Sequence, residues 1–192
     1  MGGAGTCACR WTASATIAFM DLDPLARLQA IMRSFPSDLA YDLSRYVYEP
    51  GSHPYDWPAV EQGIGVVGLP SDYKRLLEGY GPLGVGGIFI VAPDHFAARH
   101  DVHAASLRQF WSEFRPGSRS IHPDPGGLLY CASTEGRDVL WWDTSDPDPD
   151  RWTIVWDVEF ECHRFDGTLT ELLVAELTGE LRPQLTDFTV SE

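Results

Sequence analysis

The sequence predicts an α+β fold, a mostly antiparallel, twisted sheet with helices packed on one face. Three observations carry that expectation. Up to about residue 114 the apolar residues recur at helical spacing. From residue 128 the period falls to two, and short β-branched and aromatic runs alternate with turn residues. At Thr168-Leu169-Thr170-Glu171 the chain returns to helix with the signature of a capping box.

Taken in order, Asp23-Pro24 supplies an N-cap followed by proline at the first helical position, and Leu25, Leu28, Ile31 and Met32 continue it as an amphipathic helix ending near Phe35-Pro36. Residues 37–48 hint at a second short helix through Leu39, Leu43, Tyr46 and Val47. Glu49-Pro50-Gly51-Ser52-His53-Pro54 reads as a loop and as a domain boundary. Asp56-Trp57-Pro58 opens a short helix to about Gln62.

The stretch from Leu69 to Asp94 is the expected centre of the fold. Pro70 pre-sets φ for a first turn, and Tyr73, Leu76, Leu77 and Tyr80 fall at i, i+3, i+4 and i+7 on one face. Gly79 and Gly81 bracket the C-terminus, a glycine-rich turn follows, and Ile88-Phe89-Ile90-Val91 reads as a buried strand stopped by Pro93. Ala104 to Phe114 is expected as a helix presenting Leu107, Phe110, Trp111 and Phe114. Strands are expected at Leu128–Ala132, Val139–Trp142, Trp152–Trp156 and Glu159–Phe165, with Thr134-Glu135-Gly136-Arg137 as a hairpin turn. In the last strand Phe160, Cys162 and Arg164 alternate against Glu159, Glu161 and His163. Leu169, Leu172, Leu173 and Leu177 stripe a closing helix that Gly179 ends. The resulting organisation is a disordered leader (1–19, with Met20 as an alternative start), a helical extension (20–54), a core domain (55–183) and a tail (184–192).

With 192 residues, 44% hydrophobic content and 12% aromatic content, the chain can bury a sizeable core. The net charge of −14 disfavours nucleic acid and anionic membrane and favours a cationic partner or simple solubility. Four cysteines at 7, 9, 131 and 162 form no C-x-x-C pair, which fits reduced thiols in the cytoplasm. No apolar run approaches the ~18 residues of a membrane span.

Motifs for catalysis are sparse. Gly63/Gly65/Gly68 and Gly79/Gly81/Gly84 match G-x-G-x-x-G, but neither stands between a strand and a helix, so both read as turn chemistry. His95, His100 and His103 with Asp94 and Asp101 are the densest potential metal ligands. The segment reads as a loop entering a helix and no second cluster completes a site, so solvated histidines and no bound metal or cofactor are expected. Asp143, Asp146, Asp148 and Asp150 lack the glycine and terminal glutamate of a calcium loop, and Pro147 and Pro149 stiffen them. They read equally as a solvated acidic loop or as one that binds a partner.

In this order the pieces resemble the SUKH superfamily, the SMI/KNR-type domain. The matching residues are Trp57; Leu69-Pro70-Ser71-Asp72-Tyr73-Lys74; Tyr80-Gly81; and Ile88-Phe89-Ile90 ending at Pro93. Gly126-Gly127-Leu128-Leu129, the Glu135-Gly136 turn, Trp141, Pro147-Asp148-Pro149-Asp150 with Trp152, and Asp166-Gly167-Thr168-Leu169-Thr170-Glu171 complete it, over roughly residues 55–180. The resemblance implies an α+β domain without catalytic residues. Many bacterial members are immunity proteins that bind and neutralise a cognate polymorphic or contact-dependent toxin, frequently a nuclease, while fungal relatives act as scaffolds.

The expectation is therefore a non-enzymatic cytoplasmic immunity protein that occludes the active site of a basic toxin. A regulatory or scaffolding module with an endogenous partner is the alternative, and an enzyme built on the histidine cluster ranks third. Asp143, Asp146, Asp148 and Asp150 are the candidate partner-binding residues, with the Glu159/Glu161 side of the last strand as the competing face.

Overall fold

In the computed structural model, strands β1 (Leu83–Val85), β2 (Ile88–Ile90), β3 (Leu128–Thr134), β4 (Val139–Asp143), β5 (Thr153–Val158), β6 (Glu161–Phe165) and β7 (Thr186–Asp187) form one sheet in sequential order. Every neighbouring pair is antiparallel. The helices are α1 (Pro24–Ser34), α2 (Trp57–Ile64), α3 (Ser71–Tyr80), α4 (Phe96–Phe114), α5 (Leu169–Thr178) and α6 (Leu181–Gln184). The structure describes residues 22–34, 49–90, 92–114, 119–136, 138–158 and 161–187. The expected leader (1–19), the second N-terminal helix within 37–48, Glu159, Phe160 and the tail from 188 lie outside the described residues. The expected α+β class with an antiparallel sheet is what the chain adopts.

The register sorts the sheet into two faces. Leu129, Trp142, Ile154 and Phe165 lie side by side on one, and Tyr130, Trp141, Val155 and Arg164 on the other. Tyr73 of α3 meets Trp142 edge-on at 5.0 Å between ring centroids. Helix α5 packs on α3 and on α1, and Phe165 of the same sheet face lines a crevice with Pro24 of α1 and Val174 of α5. The buried stripe Leu25, Leu28, Ile31 and Met32 of α1 joins the same hydrophobic core as α3 and the sheet. Helix α4 departs from this one-sided arrangement. Its His103 stacks on Tyr130 and its His100 meets Trp141, so it covers the second face at β3 and β4.

Two helix ends are satisfied by distant carboxylates. Pro70, the N-cap of α3, offers no side-chain acceptor, and Asp150 instead accepts the Ser71 N–H at 2.6 Å. At α5 the capping box forms as expected, with Thr168 bonding the Glu171 N–H and Glu171 bonding the Thr168 N–H. Asp72 adds a third acceptor there, taking the Thr170 N–H at 2.9 Å.

Several expectations are corrected. The glycine-rich turn after α3 is a hairpin: Gly86 and Gly87 take φ of 57° and 82°, which a two-residue type I′ turn requires, and they join β1 to β2. Helix α4 starts at Phe96 rather than Ala104, and its buried line is Phe96, His100, Ala104, Leu107 and Trp111. Phe114 is exposed and Phe110 only partly buried. In β6 the alternation breaks, because Cys162 and Phe165, which lie on opposite faces of the strand, are both buried. The tail's Thr186 and Asp187 pair with β6 as a short seventh strand. Both G-x-G-x-x-G matches are turn chemistry. Gly65 at φ 85° closes α2, Gly81 at φ 69° closes α3, and Gly84 sits in β1.

Candidate partner-binding surface

The connection from β4 to β5 carries the four aspartates, and each is bound differently. Asp143 is not part of an exposed patch. It ends β4 at 3% exposure, accepts from Arg119 Nη2 at 2.5 Å and from the Ser145 N–H at 3.1 Å. Removing Arg119 would leave a buried charge uncompensated, so the pair is a structural tie. The remaining three form a ladder. Asp146 accepts the Asp148 N–H at 2.9 Å, Asp148 accepts the Asp150 N–H at 3.1 Å, and Asp150 reaches the start of α3. Side chains that mimic a backbone turn in this way fix the chain locally.

Beneath the ladder, Trp152 donates its indole N–H to the Asp146 carbonyl at 2.8 Å and packs on Trp142 at 6.1 Å. Pro149–Arg151 forms one 3-10 turn, and Arg151 pairs with Asp146 at 3.4 Å. Asp148 and Asp150 stay exposed and Asp146 half-buried. The loop thus presents negative charge from a backbone whose hydrogen bonds are already made. Glu161, on the competing face, is exposed at the start of β6; its expected companion Glu159 lies outside the described residues.

The residues that carried the sequence resemblance have structural work. Trp57, Tyr73, Trp142 and Trp152 form a chain of ring contacts from α2 through α3 and β4 to the acidic loop, with Trp57 and Tyr73 6.0 Å apart. Trp57 donates to Glu78 at 2.5 Å, and the one lysine, Lys74, pairs with Glu61 while lying 5.9 Å from the Trp57 ring centre. Pro70 and Tyr80 are buried at the two ends of α3. Gly136 is exposed in the β3–β4 turn, where Thr134 bonds Asp138. Trp141 is 1% exposed and faces away from Trp142, toward α4.

The histidine cluster is not a solvated loop. His100 is 6% exposed and His103 half-buried, both on α4, whereas His95 is exposed and lies 3.8 Å from the carboxylate of neighbouring Asp94. The His100 ring lies 5.5 Å from that of His122, a residue that no spacing in the chain joins to it. Among the described residues no three histidine, cysteine or acidic side chains gather closely enough to hold a metal ion. A half-open groove of about 550 Å³ runs between α4 and the second sheet face, lined by Arg99, His103, Ser106, Asp138, Trp141 and Asp157. Its walls mix apolar side chains with charges of both signs. No helix among the described residues is long and apolar enough to cross a membrane. Compared with family models, curated proteins and solved structures, the chain matches none.

Proposed function

We propose that this protein is a non-enzymatic, cytoplasmic immunity protein of the SUKH type that binds a basic toxin and occludes its active site. The observation that carries the reading is the pre-ordered acidic loop Asp146–Asp150. Its backbone is fixed by its own aspartates, by two prolines and by the cap on α3, so little conformational entropy is left to lose on binding. Together with a net charge of −14 it supplies a field that accelerates encounter with a cationic partner. Salt weakens that attraction, because the Debye length is only about 8 Å at physiological ionic strength.

The test is the variant Asp146→Asn/Asp148→Asn/Asp150→Asn. Asparagine keeps a carbonyl oxygen for each N–H, so the ladder and the cap survive while three charges go. The partner is a toxin domain encoded beside this gene, and association is followed by stopped flow at low salt. A slowing of at least tenfold with an unchanged thermal midpoint supports the reading. Equal rates and equal protection of toxin-expressing cells would move the binding face elsewhere, and a locus without a toxin gene would favour an endogenous partner.

A further inference from the structure

The first residues of β3 have no β2 neighbour, because β2 pairs only with Ser133 and Thr134. Leu128 on that edge bridges to Ile121, and two residues on the Tyr130 N–H is taken by a side chain, His100 Nδ1, at 3.2 Å. An amide N–H can only donate, so Nδ1 carries no proton. The other ring nitrogen, Nε2, faces the His122 carbonyl at 3.1 Å and must donate to it. Geometry alone therefore fixes His100 as the neutral Nε2–H tautomer. Three residues on, His103 stacks on the ring of the same Tyr130, 5.1 Å between centroids and 3° from parallel. Both histidines of α4 thus grip one residue of β3.

We infer that α4 is an acid-released clamp on the sheet: neutral His100 and His103 hold it to Tyr130, and their protonation loosens it from the β3 edge. A protonated His100 cannot accept, which orphans a buried N–H at a cost comparable to a lost hydrogen bond. The surroundings oppose the new charge on balance. Burial pushes His100 below the usual histidine range; the bond to the His122 carbonyl opposes this, the His122 ring and Arg108 add to it, and Asp101 opposes it. Arg108 donates to the His122 carbonyl at 2.6 Å, and His122 Nε2 to the Ile64 carbonyl at 2.8 Å, so cationic and donor groups surround the site. Burial and then Arg99 lower His103 as well. Asp138 and Asp157 line the same groove as His103.

The direction of the effect follows from linkage. Both groups bind protons less readily closed than open. Above the ordinary histidine value of about 6.5 neither form is protonated and the clamp is fully closed. Below it the open form takes up protons first, so opening becomes easier as pH falls, until the closed form also titrates. Each proton taken up raises the opening equilibrium by about tenfold per pH unit within that window. Phe96, buried against Tyr73 and Trp142, anchors the N-terminal end of α4 without any titrating group.

Amide hydrogen exchange by NMR at pH 7.5, 6.5 and 5.5, corrected for intrinsic rates, reads the opening directly. The Tyr130 opening constant is expected to rise from pH 6.5 to 5.5 by about fivefold if one histidine controls it and by about thirtyfold if both do, while the central-strand amides of Ile154 and Val155 stay constant. The variant His100→Gln/His103→Gln keeps an acceptor and a donor at position 100 but does not titrate, and its Tyr130 amide is expected to be insensitive to pH. A Tyr130 constant that does not change in the parent, or that rises equally in the variant, overturns the clamp. If the variant does not fold, the parent decides: the opening curve must level off at the pH where the closed-form His100 ring titrates, and a mismatch overturns the proposal.

Discussion

Asp72 offers the sharpest test of how the helices are locked together. It lies in the first turn of α3, yet its carboxylate accepts the Thr170 N–H of α5, 98 residues away, at 2.9 Å. Thr170 is fully buried, so water cannot replace a lost acceptor there. In Asp72→Ala, losing a hydrogen bond to a charged group costs about 1.5–3 kcal/mol. Losing a favourable charge near a helix N-terminus adds about 0.3–1 kcal/mol. The expected destabilisation is about 2–4 kcal/mol. Asp72→Asn keeps an oxygen acceptor and loses only charge, so about 1 kcal/mol or less is expected. In urea, followed by far-UV circular dichroism and tryptophan fluorescence, a slope of about 2 kcal/mol/M turns these into midpoint shifts of about 1–2 M and at most about 0.5 M. A shift below about 0.3 M for the alanine variant would refute the tie. Equal shifts for the two variants would refute the view that the acceptor, rather than the charge, is what α5 needs.

Leu76, with no exposed surface in α3, should cost about 2–5 kcal/mol when truncated to alanine, and a change under about 0.5 kcal/mol in the same denaturation assay would mean this face is not core. Gly127→Ala places a Cβ 2.5 Å from the His122 backbone nitrogen and 2.6 Å from the Ile121 carbonyl carbon. Because those are backbone atoms the turn must shift, and a loss of about 1–3 kcal/mol is expected, whereas a wild-type midpoint would show that the turn yields freely. Deleting residues 1–19, which offer no periodicity and no cap, is expected to leave the thermal midpoint unchanged; calorimetry showing a drop of several degrees would reveal a docked segment.

What could be read directly from the chain was whatever local spacing controls. The stripes Leu25/Leu28/Ile31/Met32 and Tyr73/Leu76/Leu77/Tyr80 are buried as their 3.6-residue period requires, and the Thr168 capping box closes within four residues. The middle strands announced themselves by β-branched and aromatic runs between turn residues. Strand β1 did not, because three residues beside glycines are too few to show a period, and only pairing with β2 makes them a strand. The first two turns of α4 were hidden for another reason. Their buried line runs through His100, whose polar ring is tolerated inside only because both nitrogens find partners, at Tyr130 and His122.

The candidate site divides along the same line. Composition and spacing brought four aspartates and two prolines into one loop, and that much is a property of the sequence. Which aspartates remain available was decided by contacts between distant residues. Arg119 claims Asp143 from 24 positions away, and the N-terminus of α3 claims Asp150 from 79. A hydrogen bond depends on where two groups lie in space, whereas a sequence pattern reports only how a segment presents its own side chains. Most of the helices and strands of this protein were therefore legible from local periodicity, the start of α4 and the short α6 being exceptions. The roles of Asp72, Asp143, Asp150 and His100 were set only when the sheet and helices packed together.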